Sequence, residues 1–267
     1  MSARRLLVTL PALAVVLAAL VGPLLAPHSV AAGVGLPFAT ADGDAWLGTD
    51  RLGRDVLSQL LGGGWGLILL AVVIAALVTT LSAVLGAVAA LRPRAGAVIE
   101  RCADLAMLLP PLLAILLVLL SWPESGVLGI VVVAVGFGTP YCARVFAAAA
   151  APVAASGYVE AAQASGESLW HLVFREVLPN LREVALTQLG LRFVAGMYVV
   201  ATASFLALPA GLGATNWAVM VRDNASGVLL NPWAVLAPAF AIGTVAVCVN
   251  LLVSSLSPAA RTLGDRA

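Results

Sequence analysis

The chain reads as an all-helical membrane protein with six spans, and three observations carry that reading. Of its 267 residues, 62% are hydrophobic and 10% charged, whereas in soluble domains about a quarter are charged. The apolar residues gather in runs of span length, and the arginines fall unevenly between those runs. Mean hydropathy is +1.06. The runs are 6–26, 66–91, 102–121, 126–147, 184–208 and 233–256, and a helix of about twenty residues crosses a hydrocarbon core of about 30 Å. Hydrocarbon offers no partner for a free N–H or C=O, so each run is expected to be helical, with irregular backbone confined to connections or protein-lined sites.

In chain order, the first run follows Arg4-Arg5 and precedes the small residues Ala31-Ala32-Gly33, a pattern that a cleaved signal peptide also shows. Its apolar stretch reaches Ala26, longer than a signal core of about 7–15 residues. Removing it would leave five spans and an outer N-terminus, so a retained span is expected. Before the second run stands Gly48-Thr49-Asp50-Arg51-Leu52-Gly53-Arg54-Asp55-Val56-Leu57-Ser58. Asp50, Arg51, Arg54 and Asp55 alternate in sign at helical neighbour spacings, and Gly48 and Gly53 permit tight turns. The segment predicts a self-paired collar that caps the start of the second span at the outer surface; the alternative is contact with substrate.

At the third run, Arg101 and Asp104 stand three apart and can pair near the inner interface, which lowers the cost of an acid close to lipid. Left alone, Asp104 would instead suit a proton relay. Gly62, Gly63, Gly64 and Gly66, the stretch Ala147 to Ala151, and Gly190 and Gly196 let helices approach closely in lipid. The fifth run carries Gln188, Tyr198, Thr202 and Ser204, the candidate polar groups of a translocation path.

Between the fourth and fifth runs lies a polar insert, YVEAAQASGESLWHLVFREVLP, from Tyr158 to Pro179. Residues 158–165 have helix-forming composition, with Glu160 in the first turn where a carboxylate suits the helix dipole, and Gly166 allows a turn. From Ser168, a candidate N-cap, Leu169, Leu172, Val173, Glu176 and Val177 recur at helical spacing until Pro179 blocks simple continuation. The spacing predicts helix, turn, helix, lying across a membrane surface.

With the N-terminus inside, the inner segments hold Arg4, Arg5, Arg92, Arg94, Arg101, Arg144, Arg175, Arg182, Arg192, Arg261 and Arg266, against Arg51, Arg54 and Arg222 outside. That asymmetry follows the positive-inside rule and puts both termini and the polar insert in the cytoplasm.

Several function classes are excluded. A net charge of +1 with no basic stripe gives nucleic acid nothing to bind. Cys102, Cys142 and Cys248 fall within or at the inner ends of spans and read as packing residues. His28 and His171 lie on opposite sides of the membrane, so no shared metal is expected. All fourteen Lys+Arg residues are arginine, so no P-loop lysine exists, and neither H-E-x-x-H nor G-x-S-x-G occurs. The chain is not expected to be an enzyme by itself. A secondary transporter would place unpaired acids or broken helices at midplane in repeated halves, and no such repeat is found. A structural or sensory membrane protein would show no solute flux.

The order Glu160-Ala161-Ala162, Gly166, Leu178-Pro179 resembles the EAA loop of ABC importer permeases, except that Glu176 stands where an aliphatic residue is usual. The segment from Gly48 to Ser58 resembles the GTD-x-x-GRDVLSR element of the dipeptide, oligopeptide and nickel branch, in the subunit that lacks a large outer domain. Arg101, Asp104 and Pro110 reproduce R-x-x-D-x-x-x-x-x-P. Ser204-Phe205-Leu206-Ala207-Leu208 is similar to SFLGL with Ala207 for glycine. Trp217 followed by Ala218, then Pro232-Trp233 and Pro238, extend the likeness over residues 46–256.

The resemblance implies the type I importer permease fold, with a first helix and outer connection over 1–45 and a core over 46–267 whose cytoplasmic coupling loop is 158–180. It implies a bacterial cytoplasmic (plasma) membrane location, a homologous second permease, an extracytoplasmic substrate-binding protein, and two ATPase subunits that hold ATP and Mg. No cofactor is expected on this chain. The implied cargo is a di- or oligopeptide; nickel and glutathione importers share the branch.

Overall fold

The computed structural model describes residues 21–206 and 215–256, with isolated positions between 10 and 19. The first expected span, 6–26, therefore lies mostly outside the described residues, as do Arg4, Arg5, Ala207, Leu208, Arg261 and Arg266. Its described end is a 3-10 turn, Gly22–Leu24. The described chain is otherwise helix and loop, with isolated β-bridges between Gly33 and Arg54 and between Thr49 and Asp55.

Helix α1 (Val56–Gly63) leads into α2 (Trp65–Leu91), then come α3 (Pro93–Leu108), α4 (Pro111–Ser121) and α5 (Gly126–Ala154). The polar insert forms α6 (Gly157–Ala164) and α7 (Leu169–His171), and α7 runs through a π turn (Leu172–Val177) and a 3-10 turn (Leu178–Leu181) into α8 (Arg182–Phe205). Helices α9 (Trp217–Asn224) and α10 (Trp233–Leu256) follow. Among the described residues, four stretches are long and apolar enough to cross a membrane: Val56–Leu91, Pro123–Ala154, Leu169–Phe205 and Trp233–Val253. In the last, 11% of the apolar window is buried within the chain, leaving most of that helix to lipid or another chain.

The third expected span is not one straight helix. Its two parts, α3 and α4, meet at 87°. Leu109, held before a proline, is extended at ψ 121, and Pro110 and Pro111 supply no N–H to continue the ladder. With 11 residues, α4 is about 16 Å long, too short to cross about 30 Å of hydrocarbon alone.

The chain forms two compact units. In the first (Met1–Val72, Leu119–Ile130, Phe193–Leu252), Val56, Leu67, Met197, Val200, Trp217 and Met220 are buried. In the second (Val73–Val118, Val131–Arg192, Val253–Ala267), Ile74, Val78, Phe146 and Ala150 are buried with Val159, Val173 and Val177 of the insert. Within this unit α2 and α5 touch backbone to backbone: a Cβ on Gly86 would stand 2.4 Å from Phe146 Cβ and 2.7 Å from Ala147 N. Only a residue without a side chain fits there, as expected where helices associate through small residues. Ser82 Oγ donates to the Thr139 carbonyl at 3.1 Å across the same contact.

Candidate functional site

The insert folds into two helical arms joined by a tight corner. Helix α6 carries Glu160 in its first turn. At its end, Gly166 takes φ +83. The Gly166 N–H donates to the Gln163 carbonyl (3.0 Å) and the Glu167 N–H to the Ala162 carbonyl (3.2 Å), the bonding pattern of a Schellman cap. Two residues on, Ser168 Oγ accepts the His171 N–H at 3.2 Å and caps the second arm.

Pro179 does not end that arm as its position predicts. The Leu178 N–H donates to the Val173 carbonyl, five residues back, and the widened turn delivers Pro179 to the start of a 3-10 turn, where no donor is required. Helical backbone therefore runs unbroken from Leu169 to Phe205.

One side of the insert is packed and the other is open. Val159, Leu172, Val173, Val177 and Leu181 are buried. Glu160, Ala161, Gly166 and Pro179 are exposed, Ala162 and Leu178 half-buried. Trp170 and Phe174 stack on the open side with ring centroids 5.9 Å apart. Asn180 Nδ2 donates to Tyr158 Oη (3.2 Å) and to the Glu176 carbonyl (2.7 Å), tying the base of one arm to the other. Glu176, the departure from the family pattern, faces His171 Nε2 at 3.7 Å, while Glu167 approaches Nδ1 at 3.5 Å. Val177 beside it keeps the apolar contact.

The segment from Gly48 to Ser58 is knotted through its backbone. Asp50 is 4% exposed. Its Oδ1 accepts the N–H groups of Leu52 and Arg54, both at 2.8 Å, and its Oδ2 accepts Gln59 Nε2 at 2.9 Å. Asp55 is the N-cap of α1, accepting the N–H groups of Leu57 and Ser58 at 3.1 Å, with His28 Nδ1 3.3 Å away. Gly48 and Gly53 take φ +71 and +72. A Cβ on Gly53 would meet the Gly35 carbonyl oxygen at 2.2 Å.

The expected self-pairing of charges is therefore not what forms. Both carboxylates are turned to backbone donors, Arg51 pairs with Asp223 at 3.0 Å, and Arg54 contributes its main chain. The carboxylates of Asp50 and Asp55 are themselves buried and need donors close at hand, whereas a surface ion pair contributes little, which decides the choice. Asn231 Nδ2 reaches the carbonyls of Leu47 and Thr49, and Trp217 Nε1 the carbonyl of Leu60, so the knot ties together the segments before α1, α9 and α10.

Asp104 likewise pairs elsewhere than expected. Its partner is Arg144 on α5, which also donates to the Glu100 carbonyl at 3.2 Å, and not Arg101. A double-mutant cycle between Asp104 and Arg144 is expected to give about 0.3–1 kcal/mol of coupling, and one between Asp104 and Arg101 none. Thermal denaturation of the detergent-solubilised protein measures both.

The four candidate path residues divide. Gln188 is buried, with the Cys142 thiol donating to its Oε1 at 3.5 Å. Ser204 is buried, donates to the Val200 carbonyl at 2.8 Å, and its own carbonyl accepts Arg222 Nη1. Tyr198 is exposed and Thr202 half-buried. Sequence reading missed Arg192, placed with the inner arginines although the run 184–208 contains it. Its guanidinium carbon lies 5.4 Å from the Tyr141 ring centroid. A charge inside an apolar run was the signal.

Residues 82–262 match the family model described as binding-protein-dependent transport system inner membrane component. A Brucella abortus protein whose name is that of a peptide permease is 34% identical over 217 residues, covering 80% of this chain and 72% of the relative. The Escherichia coli K12 permease protein DdpC, named for D,D-dipeptide transport, is 30% identical over 210 residues, 77% of this chain and 69% of that one. A Brucella suis protein named for a peptide transport system permease is 29% identical over 250 residues, 91% and 82% of the two chains.

Proposed function

Because this chain belongs to the binding-protein-dependent transport system inner membrane component family, the membrane component of ABC importers, we propose that it forms one half of a peptide translocation pathway and takes its drive through the insert at 158–180. The observation that carries the reading is mechanical. The arm that presents Trp170 and Phe174 is continuous with the span ending at Phe205, so a load on the open side of the insert is carried directly into a membrane helix.

In this reading the chain has six spans with both termini in the cytoplasm, the first span formed by residues 6–26 and the third by the bent pair α3 and α4. A homologous permease supplies the other half of the path. Two ATPase subunits, which hold ATP and Mg, grip Glu160, Ala161, Ala162, Gly166, Leu178 and Pro179 and the matching loop of the second permease. ATP-driven closure brings the loops together and turns the pathway outward; product release reverses it. An extracytoplasmic binding protein selects the solute and delivers it above the knot of Gly48, Asp50, Gly53, Arg54 and Asp55, whose role is structural. Tyr198 and Thr202 are the better path candidates, since Gln188 and Ser204 spend their polar groups within the chain.

The names of the relatives support a peptide cargo. In cells lacking this chain, restoring it is expected to restore ATP-dependent uptake of labelled dipeptide that unlabelled peptide blocks and nickel does not. Return of nickel uptake alone would overturn the cargo and leave the permease reading intact.

A further inference from the structure

We propose that Arg192 and Tyr141 form an anion-binding station in the membrane interior that receives the carboxylate of the transported solute; the identity of that carboxylate as a peptide's rests on the cargo reading above. Arg192 stands eight residues into the apolar run 184–208, or about 12 Å along the helix, well inside a hydrocarbon core of about 30 Å. A cation at that depth requires a partner or water.

The described residues supply neither an acid nor a full set of acceptors. Among the described residues no carboxylate pairs with Arg192, and its Nε is buried without a hydrogen-bond partner. Of the thirteen acidic residues, only Asp265 lies outside the described ones. The contrast is Arg144, a second arginine within a span-length helix, which has both Asp104 and the Glu100 carbonyl. Gln188, one turn before Arg192, is already engaged by Cys142.

What Arg192 has is the face of Tyr141, 5.4 Å from its guanidinium carbon, and Tyr141 is 43% exposed. Cation–π contact holds the planar group without using its N–H donors; with Nε buried, the edge formed by the two Nη groups is the one that matches the two oxygens of a carboxylate. An open face carrying an unpaired cation is disfavoured against hydrocarbon, so it belongs against a wet surface. Only a weak, reversible hold is needed there, because a solute must also leave.

The test uses the assembled transporter in proteoliposomes. Arg192→Gln is expected to lower uptake of a labelled dipeptide with a free carboxylate by about tenfold or more, and Arg192→Lys to retain most of it, with assembly of both at wild-type level. Independently, Tyr141→Cys is labelled in a background whose three native cysteines are replaced by serine. An anionic methanethiosulfonate is expected to react about tenfold faster than a cationic one, and adding Arg192→Gln to erase the preference.

Equal loss of uptake in the Gln and Lys variants, or a preference that persists without the guanidinium, overturns the station. A wild-type transporter that keeps the labelling preference yet takes up no dipeptide overturns the peptide cargo and supports the anion station.

Discussion

Asp50→Ala is expected to cost about 3–5 kcal/mol of stability and to strip the chain from the membrane fraction of cells. Three donors lose their acceptor at once: the N–H groups of Leu52 and Arg54 and the amide of Gln59, which is 3% exposed. A buried donor without a partner costs about 1–3 kcal/mol, more than an average hydrogen bond contributes. The damage spreads because the segment is held by Gly48 and Gly53 in conformations that leave no room for relaxation. The isosteric change is predicted to be milder. Asp50→Asn keeps an oxygen for the two backbone donors, and a flip of the Gln59 amide turns its oxygen to the new NH2 group, so about 1–2 kcal/mol is expected. Thermal unfolding in detergent separates the two variants. Equal losses would mean that the negative charge, rather than the acceptor count, holds the knot.

Four of the expected spans, the helical insert and its corner were legible in the sequence because each rests on a local rule. Apolar runs and Gly166 act within one segment, and the expected run 233–256 coincides with Trp233–Leu256. What was not legible depends on residues distant in sequence. Asp104 chose Arg144, forty residues away, over Arg101 within one turn. The carboxylates of Asp50 and Asp55 chose backbone over arginine because folding buries them, and burial is not visible in alternating charge. Pro110 and Pro111 bend the third span, and Pro179 does not stop the helix that contains it. The difference lies in the neighbours: a second proline and an extended Leu109 in one case, and a π turn that absorbs the missing donor in the other.

Gly166→Pro is expected to leave insertion and assembly intact and to abolish substrate-stimulated ATP hydrolysis by the transporter. The residue lies outside every apolar run, so the membrane partition of the chain does not depend on it. Its backbone does. At φ +83 the position is closed to proline, whose ring fixes φ near about −65°, and the change also removes the N–H that bonds the Gln163 carbonyl. The cause is conformational and not steric, because nothing lies within 4 Å of a Cβ built there. This gives the series an order. Gly166→Asn should be mildest, since asparagine tolerates the left-handed region. Gly166→Ala should be intermediate, at about 1–2 kcal/mol of strain, and Gly166→Pro complete. An open corner that merely linked two helices would tolerate all three. A corner that fixes the angle between Glu160 on one arm and the Trp170–Phe174 stack on the other would fail in that order, because in the proposed coupling both arms meet the ATPase at once. ATP hydrolysis with and without substrate-loaded binding protein, measured across the series, reads the difference. Normal stimulation in Gly166→Pro would remove the insert from the transmission path, whatever its resemblance to a coupling loop.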